Sequence, residues 1–305
     1  MQPFGQEGRS VSETAVLLVG LCTVDVVQRV AELPGPGEKA QSTGVRVTAG
    51  GPAANASVTV AALRGDARLV TVLGTHPLAA LAGDDLRRHG VRVHDALPDR
   101  IEPPPVSAVT VRERDGERVV VSHNAAGVPA GVPMPWAELL AGVGALLVDG
   151  HLPELAVAAA HAARERRVPV VLDAGSDKPV LATLLPLVDV CACSAAFRLG
   201  RADVIATERA VHDLGVPVVL RTDGAGPVRW SVRDAGVTGE VRPPAVTARD
   251  TLGAGDVWHG ALAHGVASLG RVPGPADLPA LVRRANEVAG QRVATVGARA
   301  WLATI

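Results

Sequence analysis

The chain contains no tyrosine, and aromatic residues make up only 2% of its 305 positions. With hydrophobic residues at 48%, its core must therefore be built from valine, leucine and alanine. Scarce rings also weigh against recognition of bases by stacking. Those present are Trp136, Trp230, Trp258, Trp301, Phe4 and Phe197. Lysine is nearly missing too: Lys39 and Lys178 are the only two, and arginine carries nearly all the positive charge. A P-loop needs Gly-Lys-Ser/Thr, and a protein kinase needs a strand lysine; neither lysine has that setting. Any phosphoryl transfer here must rely on a helix dipole, backbone N–H groups, arginine and a metal ion. Net charge is −1 without basic runs, which argues against a nucleic-acid surface. No uninterrupted apolar run reaches ~18 residues, so no transmembrane helix is expected. Residues 1–13 lack the charged-then-apolar plan of a signal peptide and read as a loose tail. Cys22, Cys191 and Cys193 form an odd set without framework spacing, pointing to a reducing, cytoplasmic setting. Cys191-Ala192-Cys193 would be half a metal site with no matching second half among nine scattered histidines, so all three read as buried thiols.

What is present is a strand–helix alternation. Ala15 to Gly20 is a continuous apolar run of buried-strand length, and Asp25 follows five residues after it. Ligands of open parallel sheets bind beyond the carboxyl ends of strands, so Asp25 is placed either to accept hydrogen bonds from a polyol or to cap a loop. Gly50-Gly51-Pro52-Ala53-Ala54-Asn55 leads into a helix to Leu63; the glycines admit a ligand to the backbone, and Asn55 offers donor and acceptor to a hydroxyl. A strand over 67–74, a helix over 79–89 and a strand at 91–93 follow. Residues 106–114 and 117–122 alternate around Asp115-Gly116, a hairpin signal, and with 38–49 would form a small antiparallel sheet. From residue 145 strands (146–149, 168–172, 188–191, 217–221) alternate with helices (153–166, 178–185, 194–199, 207–214), which predicts a doubly wound, mainly parallel α/β sheet. Helices over 257–269 and 278–293 close the chain.

The most informative stretch is Asp250-Thr251-Leu252-Gly253-Ala254-Gly255-Asp256. Gly253, Ala254 and Gly255 open a helix whose unpaired N–H groups suit a phosphate. Asp256 would then stand beside the bound anion, where a carboxylate hinders simple binding but serves as a base toward an attacking hydroxyl. A glycine turn with an ordinary first-turn acid is the alternative reading.

This stretch, together with Gly50-Gly51-x-x-x-Asn55, resembles the signatures of the ribokinase-like (PfkB) carbohydrate kinases. The resemblance covers roughly residues 15–300 and implies one kinase domain over 14–305, with 38–49 and 106–122 as a β lid that often doubles as a dimer contact. It implies ATP and Mg²⁺, with a sugar held by Asp25, Gly50, Gly51 and Asn55. The N–H groups of 253–255 would act as an anion hole and Asp256 as catalytic base. Arg221-Thr222-Asp223-Gly224 resembles the family's Thr-x-Gly at the nucleotide, which puts Thr222 and Gly224 there unless this is a plain turn. Asn286 lies where the family lines the adenine pocket, or on a polar helix face. Backbone oxygens around Asp250 and Leu252 would hold a monovalent cation such as K⁺. The family's Asn-x-x-Glu is replaced by Ser194-Ala195-Ala196-Phe197, so the metal ligands are unknown. Within the family, Asp85-Leu-Arg-Arg-His-Gly-Val91, Ala289-Gly290 and the missing Asn-x-x-Glu look like the ketohexokinase branch, whereas Pro52 and Gly37 depart from it at two sugar-contacting positions. A nucleoside kinase of the same fold and a non-catalytic sugar- or nucleotide-binding regulator are the alternatives.

Overall fold

The computed structural model describes residues 14–124 and 131–305; the expected tail, 1–13, lies outside them. The first half runs β1 (Ala15–Val19), β2 (Thr23–Val30), β3 (Gly44–Gly50), α1 (Pro52–Ala62), β4 (Asp66–Thr71), α2 (Pro77–Arg88), β5 (Arg92–Asp95), β6 (Val106–Arg112) and β7 (Arg118–His123). The second half runs α3 (Trp136–Leu139), β8 (Val143–Val148), α4 (Pro153–Glu165), β9 (Val170–Ala174), α5 (Leu181–Leu184), β10 (Val190–Cys193), α6 (Val204–Asp213), β11 (Val218–Arg221), β12 (Val228–Val232), β13 (Val237–Val241), α7 (Ala254–Leu269) and α8 (Leu278–Val293).

Nine strands form one sheet in the order β13-β12-β11-β10-β9-β8-β1-β4-β5. The pairs from β11 to β5 are parallel; β12 and β13 add an antiparallel hairpin at one edge. The apolar run of β1 is explained by burial on both faces. Val16 and Leu18 pack with side chains of α1, α2, α7 and α8, while Ala15, Leu17 and Val19 pack with those of α3 to α6. Because β1 sits between β4 and β8, the chain leaves it in opposite directions, which creates the crevice at the carboxyl ends where ligands of such sheets bind. With few rings available, helices meet through small residues. A Cβ on Gly260 of α7 would come 2.5 Å from the Ala56 carbonyl of α1, so glycine there sets how closely α1 and α7 approach.

The smaller sheet has the order β3-β2-β6-β7 and is mainly antiparallel, with β2 and β6 parallel at its centre. Asp25, placed by its sequence position beyond the end of β1, lies in β2, an inner strand of this sheet, and the expected strand over 38–49 begins only at Gly44. Register explains β2. Thr48, Asp25, Ser107 and Ser122 form one cross-strand row, and Val47, Val26, Ala108 and Val121 the next row, on the opposite face. The segment 194–199 is likewise not helical. The buried Arg221 guanidinium donates to the Ser194 and Phe197 carbonyls at 2.9 and 3.1 Å, and these are the groups a helix would have used. Among the described residues no helix is long and apolar enough to cross a membrane.

Candidate active site

The loop before α7 reverses at Gly253, whose φ of 73° places it in the left-handed region that a side chain disfavours. Asp250 shapes the approach, its Oδ1 accepting from the Leu252 N–H at 3.0 Å. Ala254 N–H turns back to the Thr251 carbonyl at 3.3 Å, and Val257 is the first to donate into the helix, to Gly253 at 3.0 Å. The N–H groups of Gly253, Gly255 and Asp256 thus have no partner among the described residues. A Cβ on Gly255 would meet nothing within 4 Å, so this turn faces open space. Free N–H groups at a positive helix end, with room in front, suit the phosphates of a nucleotide.

Asp256 lies half-buried in the first turn. Its Oδ2 accepts from Asn55 Nδ2 at 2.8 Å, across the close contact of α1 and α7. Burial, reinforced by the Asp173 charge, raises this carboxyl from the ordinary 3.8 to about 7. Asn55 is in turn committed on its other side, where Oδ1 accepts from Arg299 Nη1 at 3.0 Å. Arg299 also donates to the Ala49 carbonyl at 2.8 Å and pairs with Asp85 at 3.1 Å. The C-terminal segment, α2, α1 and α7 therefore meet in one chain of contacts ending on Asp256.

Opposite Asp256 stands the polar row of the smaller sheet. Asp25 Oδ1 accepts from Thr23 Oγ1 at 2.6 Å, and Ser122 donates to Ser107 at 3.0 Å. Burial raises the Asp25 carboxyl, and the Thr23 and Ser107 hydroxyls oppose that. Gly50 and Gly51 have a structural reason as well as an expected ligand role. A Cβ on Gly50 would collide with the Asp25 carboxylate, and Gly51, at φ 91°, lies where a Cβ would come 2.6 Å from the Leu21 carbonyl. The buried Asp149, at the end of β8, ties this corner together by accepting from the Leu21, Ala53 and His151 N–H groups at 2.8, 3.3 and 2.9 Å. Asp25, Gly51, Asn55, Gly253 and Asp256 line one cleft of about 220 Å³.

The expected nucleotide residues lie elsewhere. Thr222 follows β11, its N–H on the Cys193 carbonyl at 3.0 Å, and Gly224 forms the turn beyond it with φ 54°. Asn286 is buried; its Oδ1 accepts from Trp258 Nε1 at 2.8 Å and its Nδ2 donates to the Val241 carbonyl at 3.5 Å, so its amide is engaged in packing α8 on α7. Behind Asp256, the buried Asp173 pairs with His259 at 3.1 Å. Burial opposes the Asp173 charge, but the histidine outweighs it and holds that carboxyl below its ordinary value.

The residues present do not fit a monovalent cation at Asp250. Arg292, with a side chain 2% exposed, donates to the Asp250 carbonyl at 3.2 Å and to the Thr295 carbonyl at 3.0 Å. A fixed positive group already uses one of the expected oxygens, the Asp250 carbonyl. Among the described residues no cluster of three or more His, Cys, Asp or Glu could hold a metal ion. Cys22, Cys191 and Cys193 are free and buried.

Sequence reasoning alone did not single out Arg299, Asp149, Ser107 or Arg292. Only the period-2 pattern of 106–112 carried a readable signal, for Ser107.

The model of the pfkB family of carbohydrate kinases matches residues 13–304. Ribokinase of Bacillus subtilis (strain 168) is 23% identical over 295 residues, covering 95% of this chain and 96% of its own. Among crystal structures, a candidate ribokinase from Agrobacterium tumefaciens superposes with a TM-score of 0.83 at 27% identity, covering 95% of this chain and 94% of its own. Ribokinase of Arabidopsis thaliana, complexed with ribose and ATP, gives 0.76 at 22% identity over 93% of this chain and 94% of its own. The chain therefore belongs to the pfkB family of carbohydrate kinases, enzymes that transfer a phosphoryl group to a sugar.

Proposed function

We propose that this protein transfers the γ-phosphoryl group of ATP to a hydroxyl of a small sugar, with Asp256 as catalytic base. The observation that carries this reading is the position of Asp256. It lines the cleft shared with Asp25 and is also a first-turn residue beside the free N–H groups of α7. At about 7, its carboxyl is near the value that suits a base at neutral pH.

In this mechanism Asp25 and the hydroxyls of Ser107 and Thr23 hold the sugar from the smaller sheet. The attacking hydroxyl gives its proton to an Asp256 carboxylate oxygen as its own oxygen bonds to the γ-phosphorus, and the bond to the ADP oxygen breaks. Asn55 keeps the carboxylate aimed. The free N–H groups of Gly253, Gly255 and Asp256 hold the charge developing on the phosphoryl oxygens, whereas that of Ala254, expected to join them, is spent on the Thr251 carbonyl. Mg²⁺ would neutralise phosphate charge while bound to the nucleotide. The turn at Thr222 and Gly224 closes β11 at the same carboxyl-end edge and is assigned to the nucleotide. Asn286 would contribute there only by packing. The smaller sheet acts as a lid that excludes water, a competing acceptor. Its outer valines, including Val47 and Val121 at 42% and 69% exposure, form the surface for a homodimer. The buried free cysteines favour a cytoplasmic setting.

The substrate class is a monosaccharide. The cleft, at about 220 Å³, lies below the roughly 300–1,000 Å³ of drug-sized sites. Its described lining is rich in hydroxyl, carboxylate and aliphatic groups and, apart from His151, has no ring to stack on a base, which disfavours a nucleoside. The ketohexokinase likeness rests on sequence features alone, so ribose and fructose are both tested. ADP release from MgATP is measured with pentoses, ketohexoses, sugar phosphates and nucleosides. Turnover on one sugar establishes the reading; ATP binding without turnover on any member favours a binding protein instead.

A further inference from the structure

The expectation of a monovalent cation and the observed side chains disagree at one place. Asp250 is held from four sides. Its N–H donates to the Val293 carbonyl at 3.1 Å, and its Oδ2 accepts from the Gly297 N–H at 2.9 Å. Its Oδ1 takes the Leu252 N–H, and its carbonyl takes Arg292 Nη1. The same Nη1 reaches the Thr295 carbonyl, and Nη2 stands 3.2 Å from Asp250 Oδ2 with no other partner among the described residues. One guanidinium therefore bridges the loop entering α7 and the loop leaving α8, using two carbonyl oxygens and a carboxylate. Oxygen ligands of this kind, drawn from two loops, are what a bound monovalent ion would use. Only two residues separate Asp250 from Gly253, so the placement of Asp250 sets the turn whose free N–H groups the kinase reading gives to the phosphates.

We propose that Arg292 is the protein's own cation at this loop, so that the kinase works without K⁺ or Na⁺. Arg292 is a positioning residue: it acts by fixing Asp250 and hence the 252–255 turn. An added ion on the Asp250 carbonyl would face a like charge without water between them, so the site excludes it. The geometry further implies that a shorter side chain at 292 opens a cavity lined by the Asp250 and Thr295 carbonyls and the Asp250 carboxylate. That cavity would accept a small cation, converting an independent enzyme into a dependent one. This inference rests on the kinase reading above for its rate measurements and on folding alone for its second readout.

The test uses the full chain with MgATP and the sugar that turns over, in KCl, NaCl or tetramethylammonium chloride at a constant ionic strength of about 0.1 M to hold screening fixed. Wild-type rates are expected to agree across the three salts. Arg292→Ala should lose about 10- to 100-fold of kcat in tetramethylammonium, the usual effect of removing a supporting partner of a charged site. K⁺ or free guanidinium should restore much of it, and Arg292→Lys should remain salt-independent. Thermal midpoints give the activity-free readout: KCl should raise that of Arg292→Ala over tetramethylammonium and leave the wild type unchanged. Several-fold activation or thermal stabilisation of the wild type by K⁺ overturns the proposal. So does a folded Arg292→Ala that is equally slow and equally stable in all three salts. If the alanine variant does not fold, the wild-type comparison and Arg292→Lys still decide. A wild type with no turnover on any sugar counts against the kinase reading, while the thermal readout continues to test Arg292.

Discussion

Replacing Asp256 by asparagine separates its chemical role from its structural one, because the two effects have opposite signs. The asparagine carbonyl can still accept from Asn55 Nδ2, so the contact between α1 and α7 survives. The base is lost, and kcat should fall by about 10²–10⁴. Stability should rise. The native carboxyl titrates at about 7 against an ordinary 3.8, so between these values the folded state holds a proton that the unfolded state has lost. Stability from this group is thus present at low pH and declines as pH rises through that window. Fully expressed, the displacement corresponds to about 4 kcal/mol. The cleft admits water, and about 1–3 kcal/mol is the working expectation. For a chain of this size that is roughly 2–6 °C in Tm. Asp256→Asn should therefore melt above the wild type at pH 8 and level with it near pH 4, as followed by calorimetry, while its ADP release collapses at every pH. The wild-type kcat/KM should show an acid limb near pH 7. A variant that keeps near-wild-type turnover, or loses activity and stability together at pH 8, refutes the assignment.

Two further outcomes probe the surroundings. Gly253→Ala forces a side chain into the left-handed region at φ 73°, at about 1–2 kcal/mol. Its Cβ would stand 3.4 Å from Asn55 and 3.6 Å from Asp256. The protein should fold, with the KM for ATP and kcat each worse by about tenfold through misplacement of the turn; an unchanged KM for ATP argues against phosphate contact there. Val121→Asp places a charge on the exposed outer face of the smaller sheet, at its edge strand β7. Light scattering should find the wild type at twice the 31.2 kDa chain mass and the variant at that mass. A monomeric wild type removes the proposed dimer.

Much of the architecture was legible in the residues. The continuous apolar run of β1, the alternation from 145 onward and the helix over 278–293 rest on local hydrophobic period, which survives whatever the chain later packs against. The run from Asp250 to Asp256 was legible for a similar reason: a left-handed glycine, an open helix end and an acid in its first turn are properties of neighbouring residues. The same local logic failed where tertiary contacts replaced it. Segment 194–199 has helical spacing, yet two of its carbonyls, of Ser194 and Phe197, are taken by Arg221. Asn286 has the place of a nucleotide contact, yet its amide is taken by Trp258 and Val241. Asp25 sits in a strand because β3 and β6 lie on either side of it.

By itself, then, the sequence determined the elements, the family and the acid at the start of α7, since each depends on residues a few positions apart. Only the tertiary structure decided what surrounds that acid. Asn55 reaches Asp256 across 201 positions because Gly260 lets α1 and α7 approach. Arg299 reaches Asn55 across 244, and Arg292 reaches Asp250 across 42. Partners so far apart in the chain leave no period or spacing to read, because their meeting is set by which helices pack on which face of the sheet.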